Sequence, residues 1–207
     1  IPTKDIIIKD AEGTETAFSA RDIFCCSSNK KALFSCDYCQ NEIRILAHLS
    51  GDEILISMFS TSTEIDIYKE MSSKLQNKPL SEITTEERAL AKQTTLAIIY
   101  GMGVKTCADR LGITLQYASE FQKSFFKRFP KIQLFIKSSI DFARANGYVK
   151  TITGRRRYLD DIDSKDDKLR AQAERQAVNS IIQGSAADIM KLGMLKVAAA
   201  IEGEKDV

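Results

Sequence analysis

The spacing of hydrophobic and polar positions changes twice along the 207-residue chain. In the first forty residues, short apolar runs flank the turn-prone AEG, and KALFSCDY brings an apolar strand up to Asp37. From Asn41 to Gly147, apolar residues recur at intervals of three and four, which predicts helices. YVKTIT then alternates as a strand does, and a long helical segment follows, interrupted at Gly184 and Gly193.

Local signals predict where several of these elements begin and end. Thr84 and Glu87 have the spacing of a capping box at the head of EERALAKQTTLAIIYG, and Gly101 is the expected end of that helix. Gly112 is expected to end the next helix, and Gly154 to turn the strand YVKTIT. A β-containing base that encloses a helical insertion corresponds to an α+β fold.

Composition says less about the class of protein than the pattern of hydrophobic and polar positions does. Hydrophobic residues make up 43% of the chain, and 30 basic against 28 acidic residues give a net charge of +2, so the total charge favours no particular partner. No stretch approaches the ~18 apolar residues of a membrane span, and the N-terminal residues lack the pattern of a secretory signal. We therefore expect an intracellular protein that does not use a membrane.

The segment SCDYCQNEIRILAHLS (35–50) allows two kinds of metal site. Cys36 and Cys39 have the C-x2-C spacing of a zinc ligand pair, and Cys25 and Cys26 could complete the set. Adjacent cysteines followed by C-x2-C are not the usual two-pair spacing, which disfavours zinc. Asp37, at the end of the expected strand, is instead a ligand of the kind that magnesium prefers.

Two stripes of residues lie at four-residue spacing on expected helices. Arg88, Lys92, Leu96 and Tyr100 follow one helix, either as a solvated edge or as a surface along which a nucleoside triphosphate could lie. The second stripe consists of Arg175, Asn179 and Gln183. Such a polar stripe is normally the wet face of a helix, but these side chains also bond phosphate, sugar and base edges. GRRRYL (154–159), likewise, is either a solvated loop or a phosphate site.

These motifs together resemble the family A DNA polymerases. DYCQNEIRILAHLSGD is similar to their D-Y-S-Q-I-E-L-R-I-x-A-H-L-S segment, RALAKQTTLAIIYGMG to their fingers helix, and AERQAVNSIIQGSAADIMK to a later palm helix. The matches occur in the family's order and, with TITGRRRYL, cover nearly the whole chain. LRAQAERQAVNSIIQGSAAD is most similar to the eukaryotic theta and nu branch.

The resemblance implies a polymerase palm, built from a small antiparallel sheet with helices, that a mostly helical fingers insertion interrupts. The corresponding domains are 1–54 for the first part of the palm, 55–147 for the fingers, and 148–207 for the second, incomplete part of the palm.

The resemblance also assigns roles to individual residues. It implies that Asp37 is a catalytic carboxylate that holds both of two Mg²⁺ ions, since this hard ion prefers oxygen to thiols. Lys92, counted as catalytic, and Arg88 would neutralise the triphosphate. Glu42 would pack with Tyr100 to exclude a ribose 2′-hydroxyl. Further nucleotide contacts are Gln40 and Leu96, and the DNA contacts are Arg155, Arg156, Arg175, Asn179 and Gln183.

The function implied by the resemblance is template-directed DNA synthesis, in replication or repair. A primer 3′-hydroxyl would attack the α-phosphate of a dNTP with the help of two metal ions, so the expected partners are primer-template DNA and dNTPs. The alternative is a noncatalytic module, derived from the polymerase fold, that binds nucleic acid or nucleotides. A member of the theta or nu branch would be nuclear, and any other member intracellular.

The chain also departs from the family pattern. The H-D-E segment that carries a second catalytic carboxylate is absent, and the only histidine is His48. We therefore expect the chain to be a fragment that lacks this carboxylate and the family's earlier thumb. Leu96 replaces an aromatic residue of the family, and Tyr68 stands where many relatives have a histidine that contacts phosphate.

The first prediction concerns the 207-residue chain expressed alone. We expect little or no primer extension with magnesium and four dNTPs, because Asp37 by itself cannot hold two ions for an in-line displacement. Gel-based primer extension is the measurement. Robust extension that Asp37→Asn abolishes would show that the chain supplies its own second carboxylate.

Overall fold

A computed structural model describes residues 6–9, 15–19, 24–28, 32–61 and 65–202 of the chain. The chain divides into two compact units, Ile1–Cys39 and Gln40–Val207. Within the described ranges, no helix combines the length and the apolar character needed to cross a bilayer.

The first unit contains an antiparallel hairpin. Strand β1 (Ile6–Lys9) pairs with strand β2 (Glu15–Phe18), so the two strands predicted around AEG are confirmed. The strand predicted over KALFSCDY is wrong, because residues 32–38 are irregular. A strand needs a neighbour for its backbone groups, and this segment pairs with no strand in the described part of the chain. Its Leu33 and Phe34 side chains are exposed.

The second unit is mainly helical and has a second two-stranded antiparallel sheet, which confirms the α+β class. Its described elements are helices α1 (Asn41–Ser50), α2 (Glu53–Thr61), α3 (Ile67–Gln76), α4 (Thr85–Ile99), α5 (Val104–Leu111), α6 (Leu115–Arg128) and α7 (Pro130–Asn146), strands β3 (Tyr148–Lys150) and β4 (Arg156–Tyr158), and helix α8 (Asp167–Ile201), with a 3₁₀ turn at Leu80–Glu82. The predicted palm and fingers boundaries stay predictions.

Local capping explains why several helices begin and end as the sequence predicts. The Thr84 hydroxyl accepts a hydrogen bond from the Glu87 N–H at 3.2 Å, and the Glu87 carboxylate accepts one from the Thr84 N–H at 3.0 Å. This is the predicted capping box of α4. Helix α5 ends at Gly112, as predicted, with φ of 65°, a conformation that glycine adopts without strain.

The core of the second unit forms two apolar clusters that α8 connects. The larger cluster joins α1, α2, α3, α4, α6 and α7, and α8 contributes Val178 and Ile182 to it. The smaller cluster packs Val149 of β3 against Ala173 and Ala177 of α8. Because α8 takes part in both clusters, it fixes the β3–β4 hairpin relative to the helices.

Helix α8 runs without a break for 35 residues, so the predicted interruptions at Gly184 and Gly193 are wrong. A glycine inside a helix costs only ~1 kcal/mol, which packing readily offsets. At Gly184 a Cβ atom would lie 2.7 Å from Cγ2 of Thr151, so the absent side chain lets the turn after β3 approach the helix. The glycine is a contact point and not a helix end.

A buried carboxylate joins two helix starts in the second unit. Asp52 is 1% exposed and immediately precedes α2. Its Oδ1 accepts a hydrogen bond from the Leu55 N–H at 3.1 Å, and its Oδ2 accepts one from the Lys131 N–H at 3.1 Å. One side chain therefore satisfies N-terminal donors of both α2 and α7.

The second prediction is that Asp52→Ala destabilises the fold. We expect a loss of ~2–4 kcal/mol in the free energy of unfolding, since the N–H groups of Leu55 and Lys131 would lose their carboxylate acceptor. Urea unfolding followed by circular dichroism is the measurement. Glu53→Ala is the matched control, because the neighbouring Glu53 is exposed and only pairs with Lys131 at the surface. Equal midpoints for the two variants would contradict this role of Asp52.

Candidate functional site

The stripe on α4 places its side chains in different environments. Lys92 is exposed and forms no hydrogen bond or ion pair with any residue that the structure describes. Leu96 is half-buried and packs against the larger apolar cluster. Tyr100, the C-terminal cap of α4, is half-buried as well. Within the described residues, the helix therefore presents one unpaired cation, Lys92, and becomes more apolar towards Tyr100.

Arg88, the first member of the stripe, already has an anionic partner. Its Nε donates to Oδ2 of Asp66, which is the N-terminal cap of α3. The guanidinium carbon also lies 5.8 Å from the centre of the Tyr68 ring. The family resemblance assigns Arg88 to a triphosphate, and no sequence motif points to Asp66, which is 22 residues away along the chain.

Gln40 also contacts the chain around Asp66. Its amide nitrogen donates to the Ile65 carbonyl at 2.7 Å, and its Oε1 accepts from the Ile67 N–H at 3.3 Å. Gln40 itself has φ of 53°, so its backbone turns sharply just before α1. In this structure its side chain therefore holds the backbone on both sides of Asp66.

Glu42, Tyr100 and Gln183 lie next to one another, although they belong to α1, the end of α4 and α8. Burial raises the pKa of Tyr100, and the adjacent Glu42 carboxylate raises it further, whereas Gln183 acts in the opposite direction. The Tyr100 hydroxyl is buried without a well-aligned hydrogen-bond partner in the described part of the chain. The structure thus brings Glu42 to Tyr100, and the role of this pair as a sugar filter stays a prediction.

A cleft of about 400 Å³ opens between the end of α4, α5 and α8. Arg175 and Asn179 line it from α8, and Oδ1 of Asn179 is buried without a hydrogen-bond partner among the described residues. Gly101, with φ of 71°, lies so close to α8 that a Cβ atom would be 3.0 Å from Cγ of Arg175. The remaining lining residues are Tyr100, Met102, Gly103, Thr106, Arg110, Gln172 and Gln176.

A second opening, of about 370 Å³, lies between α8 and the β3–β4 hairpin. Arg155 and Arg156 line it together with Gln183, so the predicted basic segment and the α8 stripe do meet. Gln176 borders this groove as well as the first cleft, which makes the two openings neighbours along one face of α8. The sequence pattern does not single out Gln176, because it lies one residue outside the four-residue stripe.

Asp188, which the sequence patterns also missed, holds Arg155 in place. The buried carboxylate accepts hydrogen bonds from Nε of Arg155 at 3.0 Å and from the Thr153 hydroxyl at 2.6 Å. The hydroxyls of Thr151 and Thr153, assisted by the Arg155 guanidinium, lower the pKa of Asp188 to about 2. Arg155 also donates to the Gly184 carbonyl at 3.2 Å. These contacts attach the hairpin turn to α8.

The first unit contains Asp37 in an exposed, irregular segment. Its carboxylate has the donor chemistry of a Mg²⁺ ligand. In the described ranges, however, no three His, Cys, Asp or Glu side chains converge on one point, so these residues do not by themselves make a complete metal site. Within the described ranges, Cys25, Cys26, Cys36 and Cys39 form no disulfide bond.

The geometry of the second unit is typical of one class of protein. Arginine, asparagine and glutamine side chains along one face of α8, next to a basic hairpin, form the kind of surface that nucleic-acid-binding proteins direct at phosphates and base edges.

Comparison with known proteins places the chain within that class. The sequence profile described as DNA polymerase family A matches residues 2–206. DNA polymerase I of Borreliella burgdorferi is 43% identical over 202 residues, which is 98% of this chain and 22% of that protein. DNA polymerase theta of Drosophila melanogaster is 41% identical over 184 residues, which is 89% of this chain and 9% of that protein.

A solved structure gives the same result. The POL domain of Pol1 from M. smegmatis, in complex with DNA primer-template and dNTP, matches with a TM-score of 0.73 and 39% identity, over 80% of this chain and 29% of that chain. The chain therefore belongs to DNA polymerase family A. It spans less than a quarter of the length of the two curated relatives described above.

The third prediction is a pH-dependent effect of Asp188→Asn. A carboxyl with a pKa of about 2 in the fold and a usual value of 3.8 stabilises the fold above pH 3.8, and this stabilisation is lost as the pH falls towards 2. The variant should therefore be less stable by ~1–3 kcal/mol at neutral pH. The difference from the wild type should shrink between pH 3.8 and about 2.

Urea unfolding at a series of pH values measures this difference. Asp160→Asn, which removes an exposed carboxylate between β4 and α8, is the matched control and should leave the unfolding midpoint unchanged. A deficit for Asp188→Asn that stays constant down to pH 2 would show that the Asp188 charge does not stabilise the hairpin.

Proposed function

We propose that the protein to which this chain belongs is a template-directed DNA polymerase that adds dNTPs to the 3′-hydroxyl of a primer. Membership of DNA polymerase family A supports this function. So does the similarity to the M. smegmatis POL domain, whose structure is a complex with a DNA primer-template and a dNTP. The observation that carries the proposal is the cleft at Tyr100, Arg175 and Asn179, which adjoins the basic groove along the same face of α8.

Helix α4, whose C-terminal cap Tyr100 lines the cleft, is the proposed nucleotide side. Lys92 is an exposed cation without a partner in the described ranges, and it is the group most available to a triphosphate. Charge-assisted contacts to phosphate are among the stronger hydrogen bonds in proteins. Tyr100 and Glu42, which lie together at the end of α4, are proposed to exclude a ribose 2′-hydroxyl. Leu96 provides apolar surface beside them.

The α8 side is the proposed DNA side. We propose that the duplex is contacted at its growing end by Arg175, Asn179 and Gln183, and at its phosphates by Arg155 and Arg156. Two details support this assignment: Arg155 is fixed by Asp188, and Asn179 lines the cleft with an Oδ1 that has no hydrogen-bond partner among the described residues. Fixed cations and unpaired polar groups suit a site that recognises both phosphate and base edges.

The metal requirement forms a separate part of the proposal. We propose that the whole protein uses two Mg²⁺ ions and that Asp37 is one of the ligands, because its exposed carboxylate has suitable donor chemistry. When bound, such ions lower the pKa of an attacking hydroxyl and stabilise the leaving pyrophosphate.

Subfamily and cellular location stay proposals. The relatives described above include a bacterial DNA polymerase I at 43% identity and a theta polymerase at 41%, and so small a difference does not separate the two branches. A role in replication or repair, and a nuclear location for a theta-like protein, follow only from the expected branch.

The fourth prediction separates the two sides of the cleft in the full-length polymerase. We expect Lys92→Ala to raise the KM for dNTPs, because losing a charge-assisted contact costs ~1.5–3 kcal/mol, or roughly ten- to a hundredfold. Arg175→Ala should instead weaken DNA binding and reduce the slope of its salt dependence by about one. Single-nucleotide incorporation and fluorescence anisotropy across a salt series measure the two effects.

Lys137→Ala, which removes an exposed cation from α7 and thus from neither of the two stripes, is the matched control and should change neither quantity. Loss of DNA affinity alone in both site variants would refute the assignment of α4 to the nucleotide. DNA binding by the full-length wild type without any incorporation would instead favour a noncatalytic binding module.

A further inference from the structure

We propose that Asp66 is a positioning residue that competes with the incoming triphosphate for Arg88 and thereby limits nucleotide affinity. This inference rests on the proposed polymerase function. It assigns a role to a carboxylate that none of the sequence motifs includes. Arg88 can bind a triphosphate fully only when it leaves Asp66. Lys92, one turn along α4, has no such partner within the described part of the chain.

The two oxygens of Asp66 have separate tasks. Oδ1 accepts hydrogen bonds from the N–H groups of Tyr68 at 3.0 Å and Lys69 at 3.2 Å, which caps α3. Oδ2 accepts from Nε of Arg88 on α4. A cap requires an acceptor but not a negative charge, since asparagine and serine cap helices about as well as aspartate. The charge of Asp66 is therefore needed for Arg88 and not for the helix.

The position of Asp66 is fixed from both sides. The Gln40 amide holds the Ile65 carbonyl and the Ile67 N–H, and the cap itself orients the carboxylate. Arg88 lies against the Tyr68 ring, with its guanidinium carbon 5.8 Å from the ring centre. A nucleotide cannot move the carboxylate aside without breaking these contacts. It must therefore draw the arginine away or share it with the carboxylate.

Both routes reduce affinity. The side chains are only 35% exposed for Arg88 and 21% for Asp66, so water screens the pair incompletely. Withdrawing Arg88 breaks the ion pair, whereas leaving it in place divides the guanidinium charge between the carboxylate and the triphosphate. Removing the charge while keeping the cap should therefore tighten nucleotide binding. A partly exposed ion pair corresponds to a change of roughly two- to fivefold in Kd.

The test measures dNTP binding by the full-length protein on primer-template DNA. A dideoxy-terminated primer blocks incorporation, so equilibrium binding is measured without chemistry, and loss of catalysis cannot mimic the effect. We expect Asp66→Asn to lower the Kd for the correct dNTP roughly two- to fivefold and to leave the DNA affinity unchanged. Asp66→Ser, which also keeps a capping oxygen, should act in the same direction and serves if the first variant folds poorly.

Asp166→Asn is the matched control. Asp166 caps α8 in the same way, with Oδ1 accepting from the N–H groups of Lys168 and Leu169, and it has no ion pair with a described arginine. Its substitution should leave the dNTP Kd unchanged. A similar decrease in this control would mean that the effect arises from helix capping and not from Arg88, which would overturn the proposal.

A double-mutant cycle with Arg88→Ala provides the decisive comparison. If Asp66 acts through Arg88, Asp66→Asn should have no effect on the dNTP Kd when Arg88 is already alanine. An equal tightening in that background would indicate direct repulsion of the triphosphate and would overturn the proposal. So would an unchanged or higher Kd for Asp66→Asn alone. Absence of incorporation by the wild type on an extendable primer would contradict the polymerase function instead.

Discussion

The close approach of α8 to its neighbours is the constraint on which both openings depend. Glycine permits this approach at two points, where a Cβ atom on Gly184 would be 2.7 Å from Thr151 and one on Gly101 would be 3.0 Å from Arg175. Between these points, α8 contributes to both apolar clusters. The widths of the cleft and of the basic groove therefore depend on how closely α8 approaches the residues at Gly101 and Thr151.

The parts of the fold that the sequence predicts correctly are those determined within a few residues. The capping box at Thr84 and the helix end at Gly112 depend on neighbouring hydrogen bonds and on a single backbone angle. The failures have a non-local cause. Residues 32–38 carry the apolar run of a strand, yet a strand also needs a partner. Gly184 is a helix breaker by propensity, but its close neighbour Thr151, which is distant along the chain, explains why a glycine stands there.

The same distinction applies to the candidate site. The stripes on α4 and α8 are visible in the sequence because four-residue spacing always brings side chains to one helix face. Their partners are not visible, because Asp66 meets Arg88 and Asp188 meets Arg155 only after tertiary folding. Asp66 does have a local signal, since an aspartate directly before a helix predicts a cap. No local signal indicates that its second oxygen binds an arginine.

Because α8 is unbroken, it fixes the spacing of the side chains along its face. Its rise of ~1.5 Å per residue spaces Arg175, Asn179 and Gln183 at intervals of ~6 Å. Stacked nucleotides follow one another at ~3.4 Å along a strand, so in the proposed DNA complex a duplex aligned with α8 would meet one of these side chains about every second nucleotide. A continuous helix cannot stretch to follow a distorted duplex. The spacing of the three side chains is set by backbone hydrogen bonds of the helix and does not depend on what lies against this face.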